Sequence, residues 1–192
     1  DTGCNDDEKR HGLSRYVGKS IVWFDTSANK KKSQKRTKGG SYINEEEKRI
    51  ILEILDDLKS TGELKGLDIG IITGYSGQKE LLRKSIKATG LDKIASKIDI
   101  NTLDAFQGRE NDIIIYSTVR TRDSIGFQKE KERVNVAFSR AKKLLIVCGD
   151  KNFFYNFEDN KFVEIIDYIS EEEECEIIQC DGGKLFERES NS

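Results

Sequence analysis

The 192-residue chain has no proline, no methionine, one tryptophan, one histidine and four cysteines. Average proline usage of about 5% would supply several. Without them no helix end is marked by proline, and the double absence reads as a piece of a longer or edited chain. The cysteines, at 4, 148, 175 and 180, form no Cys-x-x-Cys pair, and His11 has no partner at metal-ligand spacing. Neither a zinc site nor a disulfide framework is expected, and the metal ligands predicted are none. No apolar run approaches the roughly 20 residues of a membrane helix, and no signal-peptide pattern opens the chain. A soluble protein of a reducing, intracellular (cytoplasmic) compartment is expected. Lys and Arg total 33 against 35 Asp and Glu, a net charge of -2. Any case for a polyanionic partner must therefore rest on local clusters.

What the sequence does contain is an alternation of short Ile- and Val-rich runs with amphipathic segments. Runs at 21–25, 69–72, 98–102, 112–119 and 144–148 predict strands buried on both faces of a parallel sheet, and 175–180 predicts an edge strand. Asn44 with Glu47 three residues on gives a capping-box-like start for a helix that buries Ile50, Ile51, Ile54, Leu55 and Leu58. A second helix buries Leu81, Leu82 and Ile86. A third is predicted over 130–143, with Val134, Ala137, Phe138 and Ala141 on its apolar side and Arg133 and Arg140 sharing a face. A closing helix carries Phe162, Ile165, Ile166 and Ile169. The aromatic patch at 153–157 lacks interleaved Lys and Arg and reads as core. The pattern predicts a three-layer α/β/α sandwich with a mostly parallel sheet. Residues 1–20 read as an irregular lead, 21–170 as the domain, and 171–192 as an acidic segment and tail.

Two stretches invite a phosphate reading. Gly12 to Ser20 resembles a phosphate-cradling glycine loop, but five residues separate its glycines and Ser20 is followed by a strand, not a helix. The basic run Lys30, Lys31, Lys32, Lys35, Arg36 and Lys38 fits either a solvated loop or a nucleic-acid contact. The turn Thr73-Gly-Tyr-Ser-Gly-Gln78 is open in the same way, to ligand contact or to a structural role.

The densest polar chemistry lies in Thr102-Leu-Asp-Ala-Phe-Gln-Gly-Arg-Glu110 and Arg133-Val-Asn-Val-Ala-Phe-Ser-Arg-Ala141, each set directly before an apolar run. With the segments at 21–25, 40–44 and 69–78, these two motifs resemble the second RecA-like domain of Upf-like superfamily 1 helicases, over about two thirds of the chain. Gly74 stands where that family usually carries Pro, and Ser139 where Thr is common. The resemblance implies a RecA-like P-loop NTPase fold lacking its own Walker A loop, acting as the second motor domain of an ATP-dependent helicase. It implies movement 5′ to 3′ on single-stranded DNA or RNA. ATP and Mg2+ would be bound mainly by the first RecA-like domain of the same parent chain, leaving this segment inactive alone. By resemblance Arg140 is the catalytic arginine finger. Glu110, Gln107 and Arg109 are implied at the nucleotide, and Thr73, Tyr75 and Thr102 at the nucleic acid. Arg133 fits either site or the helix face. The rival reading is a non-catalytic nucleic-acid- or protein-binding module that uses the basic loop; no recognition-helix pattern supports a sequence-reading regulator.

Overall fold

The structure is a computed structural model and describes residues 11–29, 33–94, 97–106 and 108–186. Six strands form one all-parallel sheet in the order β5-β4-β6-β7-β1-β8. In chain order these are β1 (Ile21–Asp25), β4 (Asp68–Thr73), β5 (Lys97–Thr102), β6 (Asn111–Ser117), β7 (Ala141–Gly149) and β8 (Cys175–Gln179). A separate antiparallel hairpin joins β2 (Gln34–Arg36) to β3 (Tyr42–Asn44). Helices α1 (Glu45–Thr61) and α2 (Ser76–Ala88) belong to the first half of the chain, and α3 (Lys131–Phe138), α4 (Lys151–Phe154) and α5 (Lys161–Glu171) to the second.

The period-2 alternation of the strands sorts the core into two faces. On one, Val22, Phe24, Ile69, Ile71, Ile113, Ile115, Leu144 and Ile146 pack under α1 and α2. On the other, Trp23, Ile114, Tyr116, Leu145 and Val147 pack under α3, α4 and α5. There the predicted aromatic core is present: Phe154 stacks on Phe162 at 4.2 Å, and Trp23 meets both edge-on. This is the three-layer α/β/α sandwich of the RecA-like class. The core also extends beyond 21–170: Leu13 and Tyr16 are fully buried in it, and β8 pairs with β1.

Three boundaries differ from the sequence expectation. The helix predicted over 130–143 ends at Phe138, and β7 begins at Ala141, opposite Asn111. Ala141-Lys-Lys-Leu144 has good helix propensity and no breaker, but sheet pairing overrides it. Arg133 and Arg140 consequently do not share a helical face. The strand predicted to Val119 ends at Ser117, because Val119 adopts φ 69, left-handed backbone. The capping box is half formed. Asn44 Oδ1 accepts from the Glu46 and Glu47 amides, while Glu47 turns into the interior instead of back to the Asn44 amide. Of the basic run, Lys30–Lys32 lie outside the described residues, and Lys35 and Arg36 belong to the hairpin, whose three-residue strands gave no sequence signal.

The link from β5 to β6 is residues 103–110, eight in all. It leaves the carboxyl edge of the sheet and must enter β6 from the amino edge, crossing the adjacent β4. Phe106 lies against Gly70 of β4, where a built Cβ would sit 2.5 Å from the Phe106 ring and 2.6 Å from Ile114 Cδ1. A side chain here overpacks the face. Gly70→Ala is expected to cost about 1–3 kcal/mol, seen as a lower urea midpoint; an unchanged midpoint would show that the crossing does not need the glycine.

Candidate functional site

At the amino edge of the sheet the two motifs are stitched together. The Asn111 amide donates to the Arg140 carbonyl at 3.1 Å, so Glu110 and Arg140 occupy adjacent rows. Arg140 follows the last turn of α3, and its Nε donates to the Val136 carbonyl at 3.1 Å. That bond fixes the guanidinium's base and leaves its terminal nitrogens without a partner among the described residues. Glu110 is exposed and makes no hydrogen bond or ion pair with another described residue. Arg109 is committed differently: it pairs with Asp99 of β5, whose other oxygen accepts from Asn101. Gln107 lies outside the described residues. Arg133 reaches across from α3 to pair with Asp104, tying the second motif to the first, and also pairs with Glu130. A cavity of about 180 Å³ lies between them, lined by Leu103, Asp104, Glu132, Arg133 and Val136.

Thr73, Tyr75 and Thr102 sit at the opposite, carboxyl edge. Thr102, Thr73 and Ser117 are consecutive across β5, β4 and β6. Thr73 is fully buried and its Oγ1 accepts from the Tyr75 amide at 3.4 Å, so its hydroxyl shapes the turn. Thr102 is partly exposed. Tyr75 is largely buried, edge-on to Tyr42 at 5.6 Å, and burial pushes its hydroxyl up to about 12. The site residues thus fall into two groups at opposite ends of strands about 20 Å long, with the 103–110 link leading from one to the other.

Beneath the carboxyl edge lies a buried polar hub that sequence patterning gave only as a helix cap. Glu47 is fully buried. Its carboxylate accepts from Ser117 Oγ (2.6 Å), Thr118 Oγ1 (3.1 Å), the Val119 amide (2.9 Å) and Asn44 Nδ2 (3.1 Å). Gln78 of α2 joins in, donating to the Asn44 carbonyl and Ser117 Oγ and accepting from the Asn44 amide. The hub holds Val119, a β-branched residue in left-handed backbone, a conformation that costs of order 1–3 kcal/mol and persists only when its surroundings overdetermine it. Asn44 Nδ2 also donates to the Val119 carbonyl, so both peptide groups of the strained residue are clamped.

The Gly12–Ser20 stretch is no phosphate loop. Ser20 leads into β1, its amide donates to the Glu174 carbonyl, and Lys19 Nζ donates to the Glu173 and Cys175 carbonyls. No group of three or more His, Cys, Asp or Glu side chains among the described residues could hold a metal ion. No helix of the described residues is long and apolar enough to cross a membrane.

Comparison with known proteins places these motifs. A family model described as an AAA domain matches residues 4–152. The chain belongs to this family. An uncharacterized ATP-dependent helicase of Methanocaldococcus jannaschii is 37% identical, covering 72% of this chain and 20% of the relative. The regulator of nonsense transcripts 1 homolog of Neurospora crassa is 38% identical, covering 58% and 10%. A solved C-terminal domain of a possible DNA helicase from Lactobacillus plantarum is 18% identical, covering 69% and 73%, with a TM-score of 0.43. The chain spans a fifth or less of the length of these curated relatives.

Glu47 makes stability depend on pH. Burial raises its folded-state pKa from the ordinary 4.5 to about 7, against the opposing hydrogen bonds from Ser117, Val119 and Thr118. The native state therefore holds this proton more tightly than the unfolded chain. The contribution is full below about pH 4.5 and is lost as pH rises through about 7. Glu47→Gln removes the titration, so the wild type should lose ground against the variant in urea midpoint between pH 4.5 and 7.5. A gap that does not change with pH would refute the assignment.

Proposed function

We propose that this chain is the second motor domain of an ATP-dependent superfamily 1 nucleic-acid helicase, supplying the arginine finger and part of a single-strand track. The observation that carries the reading is the pairing of Asn111 with Arg140, which sets the uncommitted Glu110 carboxylate beside an arginine anchored through its Nε. Phosphoryl transfer spreads negative charge over the γ-phosphate oxygens, and a positioned guanidinium is typically worth about 10³ to 10⁵ in rate. Arg140 would present its terminal nitrogens to that charge across a cleft formed with the first RecA-like domain. Glu110 would accept from hydroxyls of the nucleotide sugar. The phosphate loop and the Mg2+ ligands would be the first domain's.

Arg109, held by Asp99, fixes the end of the 103–110 link that carries Glu110. At the link's other end Thr102, with the Thr73 turn and Tyr75, forms part of the track, where hydroxyls and amides bind backbone without reading sequence, as a translocating motor needs. Domain closure on ATP and release after hydrolysis would then alter grip on a strand of DNA or RNA, a shift of population driven by contacts that span the cleft.

In the full-length parent, Arg140→Ala is expected to lose steady-state ATP turnover by roughly three orders of magnitude while still binding a single-stranded oligonucleotide. Turnover near wild type would remove the finger role from Arg140. The isolated segment should show no strand-stimulated ATPase after repurification; robust activity would mean that it holds a phosphate site of its own.

A further inference from the structure

Two short segments at the carboxyl edge are cationic, which the net balance of the chain conceals. From Ser33 to Asn44 the sequence holds Lys35, Arg36 and Lys38 and no acid, and residues 118–122 add Arg120 and Arg122, again with no acid. None of the five makes an ion pair with a described residue. The two segments are bolted together: Gln34 Oε1 accepts from the Thr121 amide at 2.9 Å, and the Gln34 carbonyl accepts from Arg122 at 3.1 Å. Their base is the clamped Val119 turn, and the hairpin is seated on α2, where the Gly77 amide donates to Ser41 Oγ at 3.0 Å.

Arg120 supplies an independent observation. Only 3% exposed, its guanidinium lies 4.0 Å from the centre of the Tyr42 ring and donates to the Arg122 carbonyl, while its Nε has no acceptor among the described residues. A buried guanidinium without a carboxylate is costly to maintain. Tyr42, on which it stacks, is the edge-on neighbour of Tyr75, so the unneutralised cation adjoins the proposed track.

We propose that the β2–β3 hairpin and the 118–122 arch form one cationic shelf that grips the phosphodiester backbone of a single strand beside Tyr75 and Thr102. The assignment rests on the motor reading above. Phosphate is the anion that fits. The shelf offers several cations in succession on a rigid base, which suits a regularly spaced polyanion. Among the described residues the large exposed apolar side chains are Val17, Tyr155 and Tyr168, which belong to other segments.

The test uses the full-length parent and a fluorescent single-stranded homopolymer oligonucleotide, with affinity measured across a salt series. Each lost phosphate contact flattens the slope of log affinity against log salt by about 0.7 for a single strand. Lys35→Ala/Arg36→Ala/Lys38→Ala should flatten it by about 2 and weaken binding by about tenfold or more at low salt. Arg120→Lys, which keeps the charge but loses the planar fork, should weaken binding without flattening the slope. Lys84→Ala/Lys87→Ala, exposed on α2, controls for general charge and should leave the slope alone. Melting midpoints establish that each variant is folded. Wild-type slope and affinity in the hairpin variant would overturn the shelf while leaving the motor reading intact, as would an equal change in the α2 control. A wild-type parent that binds no single strand would sink the motor reading and the shelf together.

Discussion

A chain that leaves one edge of a parallel sheet can enter the next strand only from the opposite edge, and here eight residues must make that return. Such crossovers ordinarily take a dozen residues or more and a helix. Running back along β5 and sideways over β4 requires about 22 Å from the usual strand rise and spacing, and nine extended steps reach at most about 30 Å. A short 3-10 turn at Asp104–Phe106 consumes part of that slack. The link must therefore lie flat and nearly taut on the sheet. Gly70, with no side chain of its own, leaves the space that Phe106 fills.

A taut link has a functional consequence. Thr102 is its first anchor and Glu110 its last residue, so the two groups of candidate site residues are ends of one short segment. Leu103 and Phe106 are buried along it, the Leu103 amide donates to the Thr73 carbonyl, and Arg109 and Asp104 pair outward with Asp99 and Arg133. These exposed pairs contribute little stability, but they select the link's position relative to β5 and α3. Rearranging either edge then requires the link to shift against fixed neighbours, which is how a packed element passes a change from one site to another without being continuously deformable.

Legibility in the sequence followed the strength of local pattern. Helix α1 could be read because Asn44, Glu47 and five spaced aliphatic residues agree, and the central strands because Ile113–Ile115 and Leu144–Val147 are apolar on both faces. The hairpin was not legible: Gln34-Lys-Arg36 is polar, three residues long and held by contacts to residues more than 80 positions away. Nor was the end of α3, where pairing of Ala141 with Asn111 defeats local propensity. The site motifs could be identified by resemblance, but periodicity says nothing about which edge of a sheet a polar segment occupies, so the split between Glu110 with Arg140 and Thr73 with Thr102 emerged only from topology. Glu47 looked like a cap because the cap and the hub share the same spacing; Val119, which it serves, carries no glycine or asparagine to announce a left-handed turn.

The two edges are built on opposite principles. At the carboxyl edge the buried hub is satisfied internally, with Glu47, Asn44, Gln78 and Ser117 consuming one another's hydrogen-bonding capacity, so the hub is a rigid base holding a strained turn and the arginines beyond it. At the amino edge Glu110 and the terminal nitrogens of Arg140 have no partner among the described residues. Rigid groups suit a backbone that must be held in register, whereas an exposed carboxylate beside a half-buried guanidinium leaves room for a charge brought by another body. Preorganisation is worth most where water is excluded, and Arg140 is only half-buried by the described residues. On the proposed motor reading, its electrostatic leverage on a phosphoryl group would appear on closure against a second domain, with the amino edge as half of a site and the carboxyl edge as the fixed frame for that closure.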